Sequence, residues 1–140
     1  MGTRSGTVER YEDVEFGDEL PELRPDVSMP TVRRFGKVTG MTFWRFTDHE
    51  KARAAGLPGA IVPGIMSQGI LVALLHRWAP GATVRKIDTI FRAPVVVDSA
   101  PVCRGVVTNL DDAARSVEVD LTLCDERGET RVLGTAILEL

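Results

Sequence analysis

Residues 64–78 read Gly64-Ile-Met-Ser-Gln-Gly-Ile-Leu-Val-Ala-Leu-Leu-His-Arg-Trp78, and this stretch decides the fold. It is apolar on nearly every face of a helix until its last turn, and Ala79-Pro80-Gly81 then stops it. A helix that is apolar all round must be enclosed on all sides. The surrounding apolar run falls short of the roughly 18 residues that cross a bilayer. The stretch therefore predicts a central core helix rather than a membrane anchor.

Downstream of this helix, apolar residues alternate with polar ones, which is the period of a half-buried strand. The clearest run is Ser116–Cys124, followed by the hairpin turn Asp125-Glu126-Arg127-Gly128. Three other segments also read as strands: residues 84–97, 102–109 and 130–138. The sequence thus predicts four antiparallel strands after the helix.

The upstream half is less regular. Residues 28–38 lean towards β structure, and we predict a strand there. Residues 49–55 are mostly good helix formers between a possible cap at Asp48 and a helix-ending Gly56, which predicts a short helix. The fold class that follows is α+β: one domain in which an antiparallel sheet wraps a long apolar helix. We assign residues 11–140 to this domain and residues 1–10 to a flexible N-terminus.

Bulk composition excludes several classes of protein. The chain has 140 residues, 44% of them apolar and 26% charged, which is typical of one globular domain. The net charge of -3 and the scattered cations argue against nucleic-acid binding. Cys103 and Cys124 form no metal-binding motif and are expected to be buried thiols. We expect a cytoplasmic protein with no membrane association, no metal and no cofactor.

Two segments carry a family resemblance: Tyr11-Glu-Asp-Val-x-x-Gly17-Asp18-Glu-Leu-Pro, and Ala52-Arg-Ala-Ala-Gly56-Leu-Pro-Gly59-x-Ile61-Val-x-Gly64. Both resemble the MaoC-like hydratases and dehydratases, and the likeness extends through Phe91-Arg-Ala-Pro94. The resemblance implies a hotdog fold and a dimer. It also implies an acyl-CoA or acyl-carrier thioester as ligand, in lipid or steroid metabolism. Such enzymes add water to a trans-2-enoyl thioester or remove it from the 3-hydroxyacyl product.

The family's catalytic motif, Gly-Asp-x-Asn-Pro-x-His, is replaced here. Aligned without a gap on residues 52–64, this chain reads Gly40-Met41-Thr42-Phe43-Trp44-Arg45-Phe46. Met and Phe stand in place of the Asp and His, and neither can exchange a proton. The nearest substitutes are Asp48 and His49. Asp48 is better explained as a helix N-cap, and His49 as a solvent-facing residue of the first turn.

Other site residues follow from the same resemblance. Gly64 and Ile65 begin the central helix, where free N–H groups could hold a thioester oxygen, although Gly64 could also serve close packing. The expected acyl pocket consists of Met41, Phe43, Trp44, Phe46 and Met66, which either plug a dead site or line a widened one. The coenzyme A phosphates could meet Arg85, Lys86 and Arg92, which could equally be the wet face of a strand.

Three functions therefore remain open. In the first, the chain is a subunit of a heteromeric enoyl-CoA hydratase whose catalytic Asp and His come from a second MaoC-like chain. In the second, a homodimer is active through Asp48, His49 or other groups. In the third, the chain is a non-catalytic thioester-binding or assembly module, since fold alone does not fix chemistry.

Overall fold

The computed structural model describes residues 6–140, which form one α+β domain of two layers. A four-stranded antiparallel sheet covers one side, and helices and loops pack on its inner face. No helix within this part of the chain is long and apolar enough to cross a membrane. The elements are a 3-10 turn Tyr11–Asp13, α1 Met29–Thr39, α2 Trp44–Thr47, α3 His49–Ala54, α4 Gly64–Trp78, β1 Thr83–Phe91, β2 Val102–Asp111, β3 Ser116–Cys124 and β4 Thr130–Glu139.

The sheet has the strand order β1-β4-β3-β2, and all neighbouring strands are antiparallel. In β3 the predicted alternation is confirmed, because its inward side chains are completely buried: Val117, Val119, Leu121 and Leu123. The outer edge of β2 is covered by the N-terminal segment, through bridges from Glu19 and Leu23. The outer edge of β1 has no such cover from residues 6–140. Within residues 6–140, the sheet therefore ends in a strand, β1, whose outer edge is unpaired.

Helix α4 has the predicted bounds and supplies the centre of the core. Its buried side includes Leu71, Leu74, Leu75 and Trp78, each nearly or fully inaccessible. The opposite side of α4 is not enclosed, although the sequence predicted a helix enclosed on all sides. Ile65, Gly69 and Ala73 lie one turn apart on a stripe that residues 6–140 leave exposed. A helix this apolar is expected to be covered, and the described part of the chain does not cover this stripe.

The predicted strand at residues 28–38 is wrong, because the segment forms α1. Pro30 lies in the first turn, where its missing N–H costs nothing, and Val32 and Gly36 face the core one turn apart. The Met29 N–H donates to Asp98 Oδ1 at 2.8 Å. Gly40 ends the helix in the left-handed region, with φ of 81°. The four-residue α2 that follows was also not predicted.

The short helix α3 confirms the prediction at both ends. Asp48 Oδ1 accepts the Lys51 N–H at 3.1 Å as an N-cap, and Gly56 adopts φ of 92° after the last turn. By contrast, the strand predicted over residues 84–97 ends at Phe91. Pro94 has no N–H for a ladder, and the chain beyond it pairs with the loop before α4 instead. Val62 donates to the Val95 oxygen, and Val97 to the Ala60 oxygen, both at 2.8 Å.

The N-terminal segment already packs against the domain at residues that precede Tyr11. Val8 is buried, and its N–H donates to the Trp78 oxygen at 2.7 Å at the end of α4. Further along, Arg115 holds Glu12 through two hydrogen bonds of 2.6 and 3.0 Å. The packed domain therefore includes part of the segment assigned to a flexible N-terminus. Residues 1–5 of that segment lie outside the described residues.

Candidate active site

A groove of about 360 Å³ opens at the start of α4, between the helix and the end of β1. One wall is made by the loop and first turn of α4, and the other by the chain leaving β1 together with one residue of β4. The lining residues are Ile61, Val62, Gly64, Ser67, Phe91, Arg92, Ala93, Pro94, Val95 and Val132. The groove is mainly apolar, and Arg92 is the one residue of its lining that ionises.

Two backbone donors are free at the mouth of this groove. The oxygen of Pro63 accepts the N–H groups of Met66 and Ser67, at 3.0 and 3.1 Å. The N–H groups of Gly64 and Ile65 have no acceptor within residues 6–140, and no side chain caps this end. Such donors at the positive end of a helix suit an oxygen that gains negative charge.

Neither the backbone conformation nor steric crowding requires a glycine at position 64. Its φ is not in the left-handed region, and a Cβ placed on it would lie 3.4 Å from the Phe91 ring, an ordinary contact distance. Packing of helix against sheet therefore does not demand glycine here. A methyl group at this position would, however, occupy the groove. The geometry favours the reading in which Gly64 keeps the helix start open.

The residues at the family's catalytic positions do not meet at this groove. Phe43 and Trp44 contact each other, with ring centroids 5.1 Å apart, and line a shallow surface depression with Arg33 and Lys51. Phe46 packs against the core, and Met41 lies partly buried beside α1. Met66 is buried in the core. The expected acyl pocket is thus dispersed in this chain, and its assignment stays a prediction.

His49 was expected to face solvent. Instead, both nitrogens of its ring form hydrogen bonds within the chain. Nδ1 accepts the Ala60 N–H at 3.0 Å, which places the proton on Nε2, and Nε2 donates to Asp98 Oδ2 at 2.8 Å. This hydrogen bond is the largest cause that lowers the pKa of Asp98. The imidazole and carboxylate form a pair within one chain, but no ring nitrogen is left to act on a substrate.

The pair also opens to a different cavity. His49 and Asp98 line a pocket of about 630 Å³ between α3 and the β3–β4 turn. Residues 94 and 95 are shared with the groove at Gly64 and form the wall between the two cavities. The His49–Asp98 pair therefore supports the groove wall from behind.

The candidate phosphate ligands differ in availability. Arg85 is held by Glu139 through two hydrogen bonds of 2.7 and 3.0 Å, and Lys86 lies 3.4 Å from Asp88. Arg92 is exposed at the edge of the groove, without a side-chain partner in the described part of the chain. Of the three, Arg92 is the cation best placed for an anionic ligand.

Two residues of this region were not predicted as site residues. Asp98 lies between the predicted strands 84–97 and 102–109, and it meets His49 across 49 positions of sequence. Its φ of 70° is uncommon for a residue other than glycine, and the sequence gives no direct sign of it. Phe91 was noted only within a matching motif. Its contact with Gly64 depends on how β1 crosses the start of α4.

Comparison with known proteins places this chain in a family. The family model described as MaoC like domain matches residues 17–126, so the chain belongs to the MaoC-like family. The solved structures that match share its hotdog fold. One is an (R)-hydratase from A. caviae involved in PHA biosynthesis, with a TM-score of 0.86 and 19% identity over 92% of this chain and 98% of that one.

Two other structures extend the comparison. The ChsH1–ChsH2 complex from Mycobacterium tuberculosis matches with a TM-score of 0.81 and 21% identity, over 91% of this chain and 98% of that one. A protein described as MaoC-like dehydratase matches with a TM-score of 0.87 and 26% identity, over 98% of this chain but 44% of that chain. A comparison with curated proteins gives no significant match.

Proposed function

We propose that this chain is the thioester-binding subunit of an enoyl-thioester hydratase or 3-hydroxyacyl-thioester dehydratase, and that a second MaoC-like chain supplies the catalytic Asp and His. One observation carries this proposal. The groove is lined by Gly64, whose N–H is free like that of the next residue, Ile65, yet the lining contains no carboxylate and no imidazole.

The chemistry explains why such a groove is half of an active site. Hydration forms a bond from water oxygen to C3, places a proton on C2 and removes the C2=C3 double bond. Negative charge collects on the thioester oxygen, which the Gly64 and Ile65 amides can hold. Water must also be activated by a base. The guanidinium of Arg92 donates hydrogen bonds and accepts none, and Ser67 has no base within the lining to activate it.

The exposed stripe of α4 and the open edge of β1 give a partner a place to bind. Ile65 is 62% exposed and continues into Gly69 and Ala73. Beside this stripe, Phe91 is 52% exposed at the end of β1. An unpaired strand edge next to an apolar patch is typical of an interface. A second hotdog domain seated there would cover α4 and lie at the mouth of the groove.

One structural neighbour is described as the ChsH1–ChsH2 complex, which supports a partnership between two different chains. In the complex proposed here, this chain contributes the oxyanion donors, the groove wall and Arg92 at its rim. The ligand is an acyl thioester of coenzyme A or of a carrier protein, and Arg92 meets the phosphate of its phosphopantetheine group.

The test is co-expression with a neighbouring gene that encodes a MaoC-like chain with an intact Asp and His. Hydration of trans-2-enoyl-CoA should require both chains. It should survive Asp48→Ala in this chain, since Asp48 caps α3, and it should be lost when the Asp or His of the second chain is replaced. Activity of this chain alone would favour the homodimer instead. Thioester binding without turnover by either preparation would favour a binding module.

A further inference from the structure

The ring of Phe91 lies directly over the start of α4. Its outer atoms, Cζ, Cε1 and Cε2, lie 3.4, 3.5 and 3.7 Å from the position that a Cβ on Gly64 would occupy. The ring is therefore in van der Waals reach of the backbone whose amides are free. No other side chain comes among the three nearest atoms at this point.

The backbone that carries this ring is fixed. Phe91 is the last residue of β1 and pairs with Val132 of β4. The next two N–H groups, of Arg92 and Ala93, both donate to the Arg131 oxygen, at 2.8 and 3.2 Å. The ring can move only by rotation of its own side chain. Since Phe91 is half exposed, a rotation of that kind is open on the solvent side.

This position determines what fits beside the helix start. A carbonyl oxygen that accepts from the Gly64 or Ile65 amide must come within about 3 Å of that nitrogen. The carbonyl carbon is one bond from its oxygen, and the acyl α-carbon is one bond further. A ring in contact with Gly64 therefore reaches the space around the α-carbon. A methyl branch there would meet the ring, whereas an unbranched chain would pass along it.

We infer that Phe91 is a specificity-determining residue that restricts the groove to acyl thioesters without a branch at the α-carbon. This inference rests on the proposed function, because it takes the Gly64 and Ile65 amides as the site of the thioester carbonyl. It assigns the substrate class as unbranched trans-2-enoyl thioesters and their 3-hydroxyacyl counterparts.

Calorimetry on the full chain, alone and with its partner, tests the inference with two saturated probes, octanoyl-CoA and 2-methyloctanoyl-CoA. The wild type should bind the unbranched probe more tightly. Phe91→Ala should lower this preference about tenfold or more, which is the low end of the discrimination that one carbon gives in an apolar pocket. The gain should come from tighter binding of the branched probe.

The matched control is Ile90→Ala, because Ile90 is similarly exposed but points to the other face of the same strand. It should leave the preference unchanged. Phe91→Leu, which keeps an apolar side chain, should give an intermediate value. An unchanged preference in Phe91→Ala, or an equal effect of Ile90→Ala, overturns the inference while thioester binding stands. If the wild type binds neither probe, the proposed function is overturned as well.

Discussion

Replacement of His49 by Ala should destabilise the domain without touching the groove lining. The side chain connects three segments, because it holds the Ala60 N–H on one nitrogen and Asp98 on the other. Asp98 in turn accepts the Met29 N–H at the start of α1. The variant therefore loosens the loop that precedes α4, the start of α1 and the chain behind the groove wall in one step.

The size of the effect follows mainly from Ala60. This residue is completely buried, and its N–H would lose its acceptor in the protein, which costs about 1–3 kcal/mol. The lost bond to Asp98 adds about 0.5–1 kcal/mol, at the low end because that carboxylate is half exposed. We expect a total of about 2–4 kcal/mol. For a chain of this length this lowers Tm by about 6–15 °C.

The assay is urea unfolding followed by circular dichroism, with a thermal scan of the same samples. His76→Ala is the matched control, since His76 is exposed and has no hydrogen bond to residues 6–140. Its free energy of unfolding should change by less than about 0.5 kcal/mol. If His49→Ala is no more damaging than His76→Ala, the role given to the His49 ring as a structural connector is refuted.

Three further results are expected. Gly105→Ala should cost about 1–3 kcal/mol in urea unfolding, because its Cβ would lie 3.0 Å from Leu20 Cδ2, whereas Gly69→Ala, with nothing within 4 Å, should not destabilise. Cys103 should resist a thiol reagent until the protein unfolds, since burial raises its pKa to about 12, and rapid labelling of the native protein would contradict this. The hydrogen bond to Asp112 raises the pKa of Tyr11 to about 12, so the folded state keeps this proton. The resulting stability is present below pH 10 and is lost between pH 10 and 12, and Tyr11→Phe should weaken that loss in unfolding curves across this range.

Periodicity was sufficient for the elements whose residues have one clear pattern. Helix α4 and strand β3 were predicted with their observed bounds, because an all-apolar helix and a strict alternation each fit one structure. Helix α1 was misread because its β-branched residues also suit a strand. Two features favour the helix instead: the one-turn spacing of Val32 and Gly36, and a cap from Asp98, which is remote in sequence.

The site was predictable only where a family motif marks it. Gly64 could be placed at the start of α4 from its surrounding motif, and the loss of the catalytic pair was visible at Met41 and Phe46. The partner of His49 was not predictable, because a contact across 49 positions depends on the folded path of the chain. The same holds for Phe91, whose ring reaches Gly64 only once β1 has crossed the helix start.

The central claim is that this chain binds a thioester in a groove whose lining, within residues 6–140, has no group able to activate water. The most direct measurement is the rate at which the purified chain alone hydrates trans-2-enoyl-CoA, with thioester binding checked on the same sample. We predict binding with no turnover above the rate in buffer. Turnover by the isolated chain that falls sharply in Asp98→Asn would contradict the claim, because it would show that the His49–Asp98 pair performs the proton transfer.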